Sequence, residues 1–128
     1  MKVLQVLNYF LPQKTAGTEV YTWALCKKLQ NEGVDVQVVI PNYGKAKSND
    51  YVYDDIAVHQ YAEPSVVDRN LIMGFRTPDG LLEFIDYIKQ ARPEIIHFHE
   101  IAGSNGITVK HLEAARETSA KIVMTFHL

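Results

Sequence analysis

The chain has 128 residues, of which 47% are hydrophobic and 22% charged, and its formal net charge is −2. This composition is typical of one folded domain, excludes a disordered chain and argues against a nucleic-acid-binding protein, which usually carries a basic excess. The single cysteine, Cys26, excludes an intrachain disulfide, and we expect it to be a small buried residue. The sequence shows no signal peptide and no membrane-spanning run, so we expect a cytoplasmic protein.

Strand and helix patterns alternate from the first residues onward. The apolar run 3–7 predicts a buried strand, and 34–40 predicts a second one. Between them, four residues recur at helical spacing: Tyr21, Ala24, Leu25 and Leu29. Gly33 stands where the glycine after a helix belongs. These elements form the first strand–helix–strand unit of the chain.

The middle of the chain is less regular. We expect a polar loop over 41–50, then a hairpin or an irregular third strand on either side of Asp54 and Asp55. The segment 64–77 predicts no regular element. Its apolar residues, 71–75, lie between two arginines; we favour core packing for them over contact with a lipid-linked acceptor or a membrane surface.

The last third returns to the alternating pattern. Pro78 and Asp79 are expected to open a helix that ends at Arg92, with a face formed by Leu81, Phe84, Ile85 and Ile88. A strand at 95–98, a helix capped by Ser104 and running to about 118, and a strand at 122–126 complete the chain. We therefore predict an α/β fold with a doubly wound, mostly parallel, Rossmann-like sheet, in which the first strand lies beside the strand at 95–98.

Polar residues follow three of the predicted strands. Asn8 follows the first, His99 and Glu100 follow the strand at 95–98, and His127 ends the last. In open parallel sheets, ligands bind outside the carboxyl ends of the strands. These four residues are therefore candidate site residues, and His127 is placed to donate a hydrogen bond to a phosphate or a hydroxyl.

The start of the first helix carries a further candidate. Gly17 has no Cβ, and a helix N-terminus presents free N–H groups, which suit a phosphate. Glu19 would repel an anion but could bind a sugar hydroxyl or the backbone. A glycine needed only for the turn is the simpler explanation.

Several other site types are disfavoured. The sequence has no G-x-G-x-x-G or Walker A motif, and 40–42 lacks the acidic residue of a dinucleotide site. Asn8 and Tyr9 replace the acidic pair of a response regulator. His97 and His99 share a strand face, and Glu100 and His127 could complete a metal site, but such sites need a defined set of three or four ligands. We instead expect His97 to be a hydrogen-bonded core residue.

Together, these segments resemble the N-terminal domain of GT-B glycosyltransferases, most closely the retaining family 4 type. The resemblance extends over essentially the whole chain and is carried by four motifs: Met-Lys-Val-Leu-Gln-Val-Leu-Asn, Ala-Gly-Thr-Glu, Ile-Ile-His-Phe-His and Ile-Val-Met-Thr-Phe-His. In that family the N-terminal domain mainly binds the acceptor. A second Rossmann-like domain binds the nucleotide-sugar, and transfer occurs in the cleft between the two.

The resemblance implies roles for individual residues. Ala16, Gly17, Thr18 and Glu19 correspond to the loop near the donor pyrophosphate, although Ala16 replaces a common glycine. His127 corresponds to a histidine that faces the donor sugar and phosphate and is the implied catalytic residue. Leu128 replaces an often acidic residue. Asn8, His99 and Glu100 would line the acceptor side.

The resemblance also implies what this chain lacks. The family's donor-binding domain carries a Glu-x7-Glu motif, which is not present before Leu128. We therefore expect 1–128 to be the acceptor-side half of an enzyme that uses a UDP- or GDP-sugar and a sugar or lipid-linked acceptor, without a cofactor or a metal, and to be inactive alone. A non-catalytic Rossmann-like module that binds a nucleotide or a partner is the alternative.

Overall fold

A computed structural model describes residues 1–73, 75–101 and 106–127. The elements are, in chain order, β1 (Lys2–Val6), α1 (Gly17–Asn31), β2 (Asp35–Tyr43), β3 (Asn49–Tyr53), β4 (Ile56–Glu63), α2 (Arg69–Ile72), α3 (Leu81–Ala91), β5 (Ile95–Phe98), α4 (Val109–Arg116) and β6 (Lys121–Met124).

In the described ranges, six strands form one sheet in the order β3-β4-β2-β1-β5-β6. The pairs β1–β2, β1–β5, β2–β4 and β5–β6 are parallel, and β3 joins β4 antiparallel. The predicted doubly wound fold is confirmed, including the neighbouring positions of β1 and β5. The strand order reverses between these two strands, so the crevice at their carboxyl ends is the expected ligand site.

The sheet is covered on both faces, because successive strand residues point to opposite sides. One face packs against α3 and α4, and its buried residues include Leu4, Val6, Ile96, Phe98, Phe84 and Ile88. The other packs against α1 and includes Leu7, Val36, Val38, Ile40 and Cys26. Burial raises the pKa of the Cys26 thiol to about 12, so this cysteine is the inert core residue that the sequence predicts.

The predicted loop over 41–50 is too long. Pro41 to Tyr43 continue β2, because they pair with Tyr61 to Glu63 of β4. The hairpin around Asp54 and Asp55 is confirmed, and these residues have φ of 49° and 62°. Two consecutive positive φ values are typical of the tight turn that matches the twist of a hairpin, and aspartate tolerates this conformation.

The apolar face predicted for α1 is wrong in part. Tyr21 and Ala24 are exposed, and the buried residues of this helix are Glu19, Thr22 and Cys26. The first half of α1 covers a polar part of the sheet, so its inward residues are polar too. The helix ends as predicted, since Gly33 has a φ of 82° and donates to the Gln30 carbonyl.

Two further expectations need correction. The helix expected to start after Ser104 begins at Val109 and is capped by the Thr108 hydroxyl, while Ser104 lies outside the described residues. In the 64–77 segment, Leu71 packs in the core, but Met73 and Phe75 are 52% and 75% exposed. Core packing therefore holds for only part of that segment. None of the helices in the described ranges has the length and apolar character of a membrane span.

Gly80 allows α3 to approach β4 closely. A Cβ at this position would lie 2.3 Å from the Ala62 carbonyl oxygen and 3.0 Å from the Glu63 Cα. The Gly80 N–H also donates to the buried Glu63 carboxylate over 2.8 Å. The backbone on both sides is thus in direct contact, and an added methyl group has no room.

We predict that Gly80→Ala lowers the free energy of unfolding by about 2 kcal/mol, since overpacking against backbone atoms costs about 1–3 kcal/mol. Urea denaturation measures the change. Gly17→Ala is the matched control, because its Cβ would lie in open space among the residues that the structure describes. Equal stability of Gly80→Ala and the unmodified chain would show that α3 does not pack as described.

Candidate functional site

The predicted site residues converge at one edge of the sheet. Asn8, His99 and His127 follow β1, β5 and β6, and α1 begins beside them at Gly17. The electrostatic neighbours of the Glu19 carboxyl include Lys14, Glu100 and His127. The start of α1 and the ends of β5 and β6 therefore border one crevice.

Asn8 is buried beneath this crevice and joins four parts of the chain. Its Oδ1 accepts hydrogen bonds from the backbone N–H groups of Gly106 and Ile107, each over 3.0 Å, and from the Tyr43 hydroxyl. Its Nδ2 donates to Glu100 Oε2 over 2.8 Å. Asn8 thus positions its neighbours, and its own side chain is committed to protein contacts.

Glu100 is held in place from β1. Its Oε2 accepts from both the backbone N–H of Asn8, over 3.2 Å, and the Asn8 side chain. The residue is half-buried, unlike Asn8. Of the acceptor-side candidates, Glu100 is therefore the one with surface available to a ligand.

His99 is enclosed between two polar partners. Its Nδ1 lies 3.0 Å from His127 Nε2, and its Nε2 lies 2.5 Å from Gln5 Oε1. The Tyr21 ring packs edge-on against both imidazoles, at centroid distances of 6.0 Å from His99 and 5.1 Å from His127. Burial, and then the nearby His97 and His127, lower the pKa of His99 to about 3. His99 is thus neutral at physiological pH and supports His127 from below.

His97 occupies the core position that the sequence predicts for it. Its Nε2 lies 2.7 Å from the Thr125 hydroxyl, and burial lowers its pKa. In the described part of the chain, no three His, Cys, Asp or Glu side chains come together in an arrangement that could hold a metal ion.

Glu19 is a buried charged residue at the crevice. It is only 3% accessible, and its Oε1 has no hydrogen-bond partner in the described ranges. Loss of hydration raises the pKa of Glu19, and a hydrogen bond from its own backbone N–H only partly opposes the effect. A buried acceptor without a partner is costly for the fold, and such a group suits a ligand hydroxyl that can supply the missing hydrogen bond.

The start of α1 has no side-chain cap. Ala16 is the N-cap residue and has no side-chain acceptor to offer, while Gly17 is exposed. The first intrahelical hydrogen bond runs from the Val20 N–H to the Ala16 carbonyl. The N–H groups of Gly17 and Thr18 precede that bond, so they belong to the set that a helix cannot satisfy internally and that binds anions well.

Sequence reasoning missed three residues that shape this site: Gln5, Tyr21 and Tyr43. Gln5 had a detectable signal, since it is the one polar residue within the apolar run of β1. Tyr21 was assigned to the apolar face of α1, and Tyr43 to a loop. Neither tyrosine has a local pattern that separates a site residue from an ordinary amphipathic one.

A comparison with known proteins identifies the family. A family model described as Glycosyltransferase Family 4 matches residues 15–128, which is most of the chain. The chain belongs to glycosyltransferase family 4. No curated protein matches it. The expected GT-B N-terminal type of domain is therefore confirmed at the level of family and fold.

In this glycosyltransferase family 4 domain, the effect of the buried Glu19 carboxylate on stability can be tested. We predict that Glu19→Gln raises the free energy of unfolding at pH 7 by up to about 1 kcal/mol, because it removes a buried charge with an unpartnered oxygen. The gain is limited by the loss of a favourable charge at the helix N-terminus.

The direction of the pKa shift determines how the effect of Glu19 on stability changes with pH. A raised pKa means that the folded chain binds a proton at Glu19 more tightly than the unfolded chain does, so this residue's destabilising effect grows as pH rises through its folded pKa. The difference between Glu19→Gln and the unmodified chain should disappear near pH 4. Glu113→Gln, at an exposed position of α4, is the control. Lower stability of Glu19→Gln at pH 7 would contradict the prediction.

Proposed function

We propose that this chain is the acceptor-side domain of a retaining glycosyltransferase that transfers a sugar from a UDP- or GDP-sugar to a sugar or lipid-linked acceptor. The observation that carries the proposal is the meeting of an uncapped helix start with Glu19, Glu100 and His127 at the switch point of the sheet. Family membership supports the reaction class.

The start of α1 is the proposed contact with the donor diphosphate. The N–H groups of Gly17 and Thr18 have the geometry and partial positive charge that stabilise a phosphate oxygen. The absence of a Cβ at Gly17 leaves the backbone open to close approach, and in the described ranges no atom beyond the adjacent residues and the helix's own backbone lies within 4 Å of where that Cβ would be. As the leaving group departs, these N–H groups would stabilise the charge that develops on it.

The neighbouring side chains suit the hydroxyl groups of a sugar. Glu19 offers a buried oxygen without a partner, and Glu100 offers a carboxylate oriented by Asn8. His127, the proposed catalytic residue, lies partly exposed above His99. Asn8 and His99 act from beneath: they hold Glu100 and His127 at the surface where a donor sugar and an acceptor would meet.

The same charges make this domain a poor site for a free nucleotide-sugar. Two carboxylates border the anion site, and they repel a diphosphate. A single helix N-terminus contributes at most about 2 kcal/mol toward an anion. We therefore propose that a second domain supplies the positive charge and the nucleotide site, and that residues 1–128 transfer no sugar without it.

The test of this function uses the enzyme that contains both domains. We predict that Gly17→Val lowers the turnover rate at least about 100-fold, because displacement of a reacting group by about 1 Å costs that much. The variant should keep its melting temperature, since a Cβ at this exposed position would contact no neighbouring part of the described chain within 4 Å.

The control variant is Ala24→Val, which adds the same branched group to an exposed position of the same helix. It should leave the turnover rate unchanged. If Gly17→Val is folded and fully active, then Gly17 is only a turn residue and the diphosphate lies elsewhere.

A further inference from the structure

One residue of β1 and the two histidines that follow β5 and β6 form a hydrogen-bonded row that ends at the crevice. Gln5 lies in β1 and is fully buried, and its Oε1 is 2.5 Å from His99 Nε2. On the other side of the same ring, His99 Nδ1 is 3.0 Å from His127 Nε2. His127 is the only partly exposed member of the row.

In this row, the proton position on each imidazole is determined by the hydrogen-bonding role of its neighbour. A neutral imidazole has one nitrogen that donates and one that accepts. The amide oxygen of Gln5 can only accept, so His99 must carry its proton on Nε2 and accept at Nδ1. The partner of that acceptor must then donate, which places a proton on His127 Nε2.

The environment keeps the first imidazole neutral. His99 is 2% accessible, and burial lowers its pKa to about 3, with His97 and His127 as further causes. A protonated His99 would donate at both nitrogens and break the alternation, and this state is suppressed over the physiological range. The proton positions therefore follow from Gln5 alone.

The orientation of Gln5 decides the direction of the whole row. A separation of 2.5 Å is short even for an N–H···O contact and too short for the larger N–H···N contact that a rotated amide would make. The Gln5 amide oxygen is therefore the atom that faces His99, and within the described ranges the amide nitrogen has no partner.

We propose that Gln5 and His99 are positioning residues that hold the proton of neutral His127 on Nε2 and leave its Nδ1 as a hydrogen-bond acceptor. Neutral His127 would then accept from a hydroxyl and could donate to a phosphate only as the imidazolium. The consequence for the ligand rests on the proposed function, whereas the proton positions are a property of the chain by itself.

Nitrogen-15 NMR of the histidine-labelled chain tests the proposal without any enzyme assay. The spectra are recorded at about pH 9, more than two units above the ordinary histidine pKa of about 6.5, to favour neutral imidazoles. We expect protonated-type shifts for Nε2 and unprotonated-type shifts for Nδ1 in both His99 and His127, together with a coupling between the two nitrogens across their hydrogen bond. Protons on Nδ1 of both rings would overturn the proposal, because they would show that Gln5 donates.

Two substitutions at position 5 separate positioning from packing. Gln5→Leu removes the acceptor at similar volume, and we expect the cross-ring coupling to be lost and the Nε2-protonated form of His99 to fall from nearly all to a mixture. Gln5→Glu keeps an acceptor and should restore the original proton positions. If Gln5→Leu leaves the tautomers and the coupling unchanged, Gln5 does not control them.

Thr125→Val is the matched control. It removes the partner of His97, which lies on the same sheet face but outside the row, and the tautomers of His99 and His127 should stay as they are. A change as large as that in Gln5→Leu would show a general response to packing and contradict the proposal. Since none of these measurements needs a sugar donor, failure here leaves the proposed reaction untouched, and the reverse also holds.

Discussion

The arrangement of the crevice depends on the buried amide of Asn8. A fully buried polar side chain must be satisfied by the protein, and Asn8 achieves this with groups from the end of β2, the end of β5 and the approach to α4. Without it, the buried backbone N–H groups of Gly106 and Ile107 would lose this acceptor. The hydrogen bonds also explain Gly106, since a Cβ there would lie 2.3 Å from the Tyr43 hydroxyl oxygen. A single residue after β1 therefore sets the distance between three strand ends.

The crevice combines a region that favours anions with a region that favours hydrogen-bond donors. The uncapped start of α1 favours an anion, whereas Glu19 and Glu100 favour groups that donate hydrogen bonds. Histidines that burial keeps neutral add no positive charge. Such a surface would suit a sugar with a phosphate at one end, and its two carboxylates oppose the binding of a diphosphate. The buried Glu19 carboxylate also lowers the free energy of unfolding, and such destabilising residues are common at functional sites.

The sequence predicted the fold where the pattern was local and unambiguous. The β5 range matched the predicted strand residue for residue, and the helix ends were marked by Gly33, which favours a positive φ, and by Pro93, which disfavours helix at Arg92. The prediction failed where tertiary contacts override local pattern. Pairing with β4 extends β2 through a proline and an asparagine, and α1 buries Glu19 and Thr22 while Tyr21 stays partly accessible beside two imidazoles.

The location of the candidate site could be predicted from the sequence, but the role of each residue in it could not. Strand-end positions identified Asn8, His99, Glu100 and His127 correctly as neighbours, because parallel strands bring their carboxyl ends to one edge. Which of them are buried supporting residues and which are accessible to a ligand was not predictable, since this depends on burial in the folded chain. Gln5 illustrates the limit: a lone glutamine in a buried strand signals a hydrogen bond, but its partner 94 positions away appears only in the folded chain.

We propose that the crevice of this domain offers groups for a sugar and an acceptor and that by itself it binds a nucleotide-sugar only weakly. Calorimetric titration of the 128-residue chain with UDP- and GDP-sugars tests it most directly. We expect dissociation constants no tighter than about 1 mM, since micromolar binding requires about 8 kcal/mol and one helix N-terminus contributes at most about 2 kcal/mol. Micromolar binding to the isolated chain would contradict the account and would favour a self-contained nucleotide-binding module.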